Sequence, residues 1–215
     1  MIKIMLVIFL YFLVFAGSEI TYRLFNLSFL FARKIAHVGG SIVSFLLPLV
    51  VSNGAAIFLG LFFALVIFIS KQNNFLQCIH DKKNLSAGEV VYPIGVALLA
   101  MTVWPINVLA YQGACLVFGF ADSLAGYIGS SYGKNKYSIL GGYKTYEGSI
   151  IFFVITVIIF LFYYFFYTTD HYFFEVVLIF IYATAIAFIE SIFYRGWDNL
   201  VIPVTAGLAL LLIIN

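Results

Sequence analysis

Four short stretches of this chain carry the residue types that move charge, and each lies within or beside an apolar run. The first holds Arg33, Lys34 and His37, with Ser41 and Ser44 beyond them. At helical spacing Arg33, His37, Ser41 and Ser44 fall on one face, so a polar stripe descends into an apolar segment. An arginine–lysine pair that only anchors a helix end explains the cations but not the histidine and serines below them. The second stretch runs from Asp122 to Lys134. As a helix it sets Asp122, Ala125, Gly126, Gly129 and Gly133 in a stripe without bulk. Helix packing accounts for such glycines, and poorly for the carboxylate. A carboxylate beside bare backbone suits magnesium, which takes one or two carboxylates and fills its other positions with substrate phosphates. The third stretch sets Lys144 three residues before Glu147, just ahead of an apolar run, either as neighbours on one helix or as a phosphate ligand beside a metal ligand or base. Gly141 and Gly142 give it a mobile approach. In the fourth, Glu190, Asp198 and Asn199 bracket a short loop between two apolar runs. Glu89, which opens another apolar run, is a lesser candidate, because a carboxylate there also serves as a helix cap.

The elements that must hold these residues are set by composition. The chain is 64% hydrophobic, 20% aromatic and 9% charged. Soluble domains carry about 25% charged residues, and one aqueous core of this size does not hide so much apolar surface. The sequence therefore predicts an all-α, polytopic integral membrane helical bundle forming a single membrane domain over 1–215. Apolar runs of spanning length give about eight helices: Ile2–Gly17, Ile35–Ser52, Gly54–Ser70, Val90–Val103, Pro105–Ala121, Ser149–Tyr167, Tyr172–Ile189 and Leu200–Ile214. Asn53-Gly54 and Trp104-Pro105 are the turns that split two runs too long for one crossing. The first run, lacking a small-residue cleavage pattern after it, is expected to be retained. Tyr22–Phe31 and Phe75–Leu85 mix large apolar with polar residues and are expected to lie as interfacial helices. Cys78 and Cys115 have no metal-ligand spacing and are expected as free thiols.

Charge placement supports the eight-span topology independently. It puts Arg23, Arg33, Lys34, Lys71, Lys82, Lys83, Lys134, Lys136, Lys144 and Arg195 on one side and Lys3 alone on the other. The positive-inside rule makes the crowded side cytoplasmic. All four polar stretches fall on that side.

Taken together, Asp122-x-x-Ala125-x-x-x-Gly129-x-x-x-Gly133-Lys134 and Lys144-Thr145-x-Glu147-Gly148 resemble the core shared by CTP-using membrane lipid enzymes. These are the phosphatidate cytidylyltransferases and the CTP-dependent polyprenol and lipid kinases, among them phytol kinase, dolichol kinase and the yeast-type diacylglycerol kinase. The upstream Arg33-Lys34-x-x-His37-x-x-Gly40 and the downstream Glu190-Ser191 with Asp198-Asn199-Leu200-x-x-Pro203 resemble the kinase branch. The cytidylyltransferase branch has a serine and proline before its lysine-threonine and a different ending, where this chain has Gly142-Tyr143 and Trp197-Asp198-Asn199.

The resemblance implies transfer of the γ-phosphate of CTP to the hydroxyl of an isoprenoid alcohol or similar lipid taken from the bilayer. It implies magnesium held by Asp122 with Glu147 or Asp198, and phosphate neutralised by Lys144, Lys134, Arg33 and Lys34. Backbone N–H groups near Gly129 and Gly133 would approach the nucleotide, with His37 and Asn199 nearby. Glu147, Asp198 or His37 would take the hydroxyl proton. No nucleic-acid partner is expected, and a homodimer is a possible assembly. Two other readings stand beside this one: a phosphatidate-type cytidylyltransferase, and a small-substrate transporter that uses its intramembrane charges along a pathway.

Overall fold

A computed structural model of the protein describes residues 2–25, 28–73, 75, 87–140, 142–169 and 172–214. Its helices are α1 (Ile2–Arg23), α2 (Phe29–Val50), α3 (Asn53–Gln72), α4 (Gly88–Thr102), α5 (Val108–Leu116), α6 (Asp122–Tyr132), α7 (Tyr146–Tyr167), α8 (Phe173–Ile192) and α9 (Asp198–Ile214). A π-helical turn, Val117–Ala121, joins α5 to α6 into one continuous rod. The described residues thus form eight helical rods, the number read from the sequence. Six are long and apolar enough to cross a membrane, while α4 and α9 are shorter apolar helices of 15 and 17 residues.

The expected turns fall close to where the sequence put them. Ser52 caps α3 by accepting from the Ala55 N–H at 3.4 Å. Asn107 caps α5 by accepting from the N–H groups of Leu109 and Ala110. One expectation differs. The sequence placed an interfacial helix over Tyr22–Phe31, but Tyr22 and Arg23 end α1 and Phe29 opens α2, capped by Ser28. Tyr22 and Phe29–Phe31 thus belong to the rods on either side of the break. The second proposed interfacial helix, Phe75–Leu85, and Cys78 lie outside the described residues except for Phe75. Cys115 is a buried free thiol. The bundle is all-α as read from the sequence, with one short antiparallel hairpin that the sequence did not signal, β1 (Lys136–Ile139) with β2 (Gly142–Thr145), between α6 and α7.

Polar links tie the rods together inside the bundle. Tyr11 Oη and Ser44 Oγ are 2.8 Å apart, and Ser18 Oγ donates to the Ala32 carbonyl at 2.6 Å, so α1 runs antiparallel to α2. Tyr111 donates to the Ser44 carbonyl at 3.1 Å and Gln112 Nε2 to that of Phe45, joining α5 to α2. Around these bonds Leu47, Leu59, Phe118, Phe152, Phe160 and Ile202 are fully buried. The large apolar residues on the outside, such as Phe58, Phe166 and Phe188, suit contact with lipid tails.

Element lengths shape one end of the bundle. At about 1.5 Å per residue, Asp122 lies about 15 Å below the end of the α6 rod. The short helices α4 and α9 begin, and α8 ends, around that recessed level. The connection from α8 to α9 turns through Arg195 and Gly196, both with positive φ (57° and 92°). Gly196 packs so tightly on Gly88 that a Cβ would lie 2.1 Å from the Gly88 Cα, so only glycine fits this turn. Ala87 N–H donates to the Arg195 carbonyl at 3.0 Å and holds the two chain segments together.

Candidate active site

The recessed end opens as a cleft of about 800 Å³. It is lined by α2 (Arg33, Lys34, His37), α6 (Asp122, Gly126, Gly129), the hairpin (Lys136, Lys144) and the ends of α8 and α9 (Glu190, Asp198). The opposite end holds Lys3, packed near Pro48 and Ser52 at the α2–α3 turn.

Three carboxylates meet on the cleft floor. Asp122, Glu190 and Asp198 each present an oxygen, and these oxygens lie within 4.8 Å of one another. Such a cluster is tolerable beneath a membrane surface only if cations compensate it. Lys34 Nζ sits 3.0 Å from Asp122 Oδ2 and also donates to the Asp122 carbonyl at 3.1 Å. Lys144 reaches from β2 to pair with Glu190 and lies 3.6 Å from Asp198 Oδ2. Burial opposes the charge on Lys144, but the Glu190 and Asp198 carboxylates outweigh it and raise the ammonium above the ordinary lysine range.

The backbone explains why Asp122 points here. It follows directly on the π-helical turn, a device that re-aims side chains and is frequent at functional sites. The Phe118 carbonyl of that turn lies 3.0 Å from His37 Nε2. A carbonyl only accepts, so Nε2 carries the proton, and the same nitrogen is 3.5 Å from Asp122 Oδ2. The His37 ring meets Tyr92 and Phe118 edge-on. His37 is therefore fixed beside Asp122 from two directions.

Gly126 contributes by its missing side chain. A Cβ there would lie 2.7 Å from Lys34 Nζ, so the bare backbone is what admits the lysine to Asp122.

The sequence assigned several roles that this geometry distributes differently. Asp122, Lys144, Asp198, Lys34 and His37 come together, and Arg33 lines the cleft with them. Glu147 does not join the carboxylates. Its Oε1 accepts from the Lys134 N–H at 3.1 Å and from both the N–H and side-chain amide of Asn135, which fastens the start of α7 to the end of α6. Glu190, read from sequence only as a further candidate, stands in the cluster instead. The Lys134 side chain is exposed outside the cleft lining, while Lys136, which the sequence left unassigned, is on it.

Gly129 lies inside α6, where backbone N–H groups serve the helix, and the Gly133 N–H donates to the Gly129 carbonyl at 3.2 Å. Cβ atoms at these positions would lie 2.6 Å from Thr145 Oγ1 and 2.5 Å from Thr145 Cγ2 respectively. Both glycines thus let α6 pack against the hairpin and α7, the packing-face reading of the stripe. Asn199 Nδ2 donates to the Gly88 carbonyl at 2.8 Å, tying the start of α9 to α4. Glu89 is buried and pairs with Lys71 at 2.8 Å, away from the three carboxylates.

The donor set suits a hard divalent cation: clustered carboxylate oxygens, no soft ligand, and room above for phosphate oxygens. Asp122, Glu190 and Asp198 would hold it, and it would neutralise phosphate charge.

The class that fold and cleft define is a polytopic helical membrane protein with an ionisable pocket at one end of the bundle. The chain is similar to a phytol kinase of Synechocystis sp. (strain PCC 6803), 28% identical over 178 residues that make up 82% of this chain and 76% of that one. The likeness supports, at the level of the family, the resemblance to the CTP-dependent polyprenol and lipid kinases. No family model matches the chain, and no solved structure matches it.

Proposed function

We propose that this protein is a membrane lipid kinase that transfers the γ-phosphate of CTP to the hydroxyl of an isoprenoid alcohol, with the cleft facing the cytosol. The observation that carries the reading is the meeting of Asp122, Glu190 and Asp198 under Lys34 and Lys144, in a chain similar to a phytol kinase. Phosphoryl transfer asks the protein mainly for position and for neutralisation of spreading negative charge. The nucleotide enters the wide cleft with its triphosphate over the three carboxylates. Asp122, Glu190 and Asp198 would hold a magnesium ion, which would offset the phosphate charge. Lys144, Arg33 and Lys136 neutralise the remaining phosphate oxygens.

The alcohol oxygen attacks the γ-phosphorus, and the bond from that phosphorus to the β,γ-bridging oxygen breaks. CDP leaves carrying the bridging oxygen and its electrons. The hydroxyl proton passes to a carboxylate. We favour Asp198 as the acceptor, since the His37 nitrogen that faces Asp122 already holds a proton toward the Phe118 carbonyl and Glu147 accepts from backbone N–H groups. The crowding of described basic residues at the cleft end supports the cytosolic orientation.

The test is incubation of the purified full chain with γ-labelled CTP, magnesium and phytol, farnesol or diacylglycerol in turn. Label in the lipid, abolished by Asp122→Asn, is the expected result. A CDP-lipid and free pyrophosphate from phosphatidate would overturn the kinase reading in favour of a cytidylyltransferase. No turnover with any lipid would overturn it as well.

A further inference from the structure

A second recess lies beside the cleft, among α1, α2, α3 and α4, and the chemistry above does not use it. Its walls are largely apolar, with Ala36, Phe63, Ile67 and Val96 facing inward. Arg33, His37 and Asn199 line both spaces, so the recess adjoins the cleft on the His37 side of the carboxylate cluster. Glu89, buried and paired with Lys71, stands on its wall. The apolar walls suit a neutral hydrocarbon, and the Glu89 carboxylate, compensated by Lys71, disfavours an anionic phosphate there.

We propose that this recess is the acceptor subsite, holding the carbons next to the hydroxyl of the lipid alcohol and turning the hydroxyl toward His37 and the cleft. The proposal rests on the kinase reading and adds which part of the acceptor the protein grips. The recess measures about 60 Å³. A cavity of about 150 Å³ admits benzene, so this one takes only the few carbons nearest the hydroxyl. The rest of the chain lies along the helices in lipid, where hydrocarbon loses nothing by remaining. Selection therefore acts on the shape of the first isoprenoid unit, and chain length beyond it is tolerated.

Two experiments on the full-length protein test this. In the first, Ala36→Leu and Val96→Phe each fill the recess. The KM for alcohol should rise roughly tenfold, since excluding two or so methylenes loses that much binding. The rise should be similar for farnesol and the longer phytol, while the KM for CTP stays unchanged. A parallel rise for CTP, or no rise for alcohol in folded variants, overturns the subsite.

In the second, a long-chain alcohol carrying a photoreactive diazirine near its hydroxyl is irradiated with the protein in nanodiscs. Saturable label around Phe63 and Val96 is expected. Label on the outer faces of α7 and α8, or no saturable label in the recess, overturns the proposal whether or not phosphate is transferred. Label in the recess without phosphate transfer keeps the subsite and removes the kinase reading.

Discussion

Lys34 grips Asp122 twice, at the carboxylate (3.0 Å) and at the backbone carbonyl (3.1 Å), and it can do so because residue 126 has no side chain. One cation thus fixes both the charge and the helix position of the central carboxylate. Gly126→Ala would put a methyl 2.7 Å from Lys34 Nζ, and the flexible lysine would yield rather than the helix. Turnover should fall about tenfold, equivalent to about 1.4 kcal/mol, with little change in melting temperature. Gly129→Ala should do the reverse, because its methyl meets Thr145 on the hairpin. It should cost about 1–3 kcal/mol of stability by overpacking. Parallel thermal melts and initial rates separate the two.

The carboxylates differ in their expected roles. Asp122→Asn, Glu190→Gln and Asp198→Asn should each lower the turnover number by about 100-fold or more, the scale for losing a group that stabilises transition-state charge. Glu147→Gln keeps an acceptor for the Lys134 and Asn135 N–H groups and should keep nearly full activity. Glu147→Ala removes that acceptor and should loosen the α6–α7 junction. Limited proteolysis near residues 133–147, compared with rates, checks this.

The placement of Glu147 shows where sequence reading reaches its limit. The spacing of Lys144 and Glu147 suggested neighbours on one helix. A strand ends and a helix begins between them, so Lys144 turns to Glu190 and Glu147 to the Lys134 and Asn135 N–H groups. A two-stranded hairpin of four-residue strands carries a weak sequence signal, because its stability comes from what it packs against. The π-helical turn before Asp122 has no sequence signature either. Asp122, Lys144 and Asp198 were legible for a simple reason: ionisable groups beside hydrocarbon are costly, and few such groups occur in this chain. Glu190 was harder to rank, because its partner Lys144 lies 46 residues away in sequence. The eight helical rods were the most legible feature, since hydropathy marks the apolar runs and the Asn53-Gly54 and Trp104-Pro105 turns divide the two that are too long for one crossing.

Lys144 gives a pH prediction. Its folded pKa lies above the unfolded value of about 10.4. The clasp with Glu190 and Asp198 therefore contributes its full stability below that pH and loses it only as pH rises through the higher folded value. Between neutrality and about pH 10, neither melting temperature nor the KM for CTP should show a step that Lys144→Arg removes. A step near pH 8 absent from Lys144→Arg would contradict the clasp.

Lys144→Ala leaves two buried carboxylates without their shared cation. It should weaken nucleotide use far more than lipid use, raising the KM for CTP by about tenfold or more. An unchanged KM for CTP, read with saturating alcohol, would count against Lys144 as a phosphate ligand.

The most direct measurement is binding of manganese, as a spectroscopic stand-in for magnesium, to the purified protein in the presence of CTP. Electron paramagnetic resonance reads the bound ion without requiring turnover. The account predicts saturable binding to the wild-type chain, weakened about tenfold or more by Asp122→Asn, Glu190→Gln or Asp198→Asn and left intact by Glu147→Gln. Binding unaffected by all three cluster substitutions, or lost on Glu147→Gln alone, would contradict it.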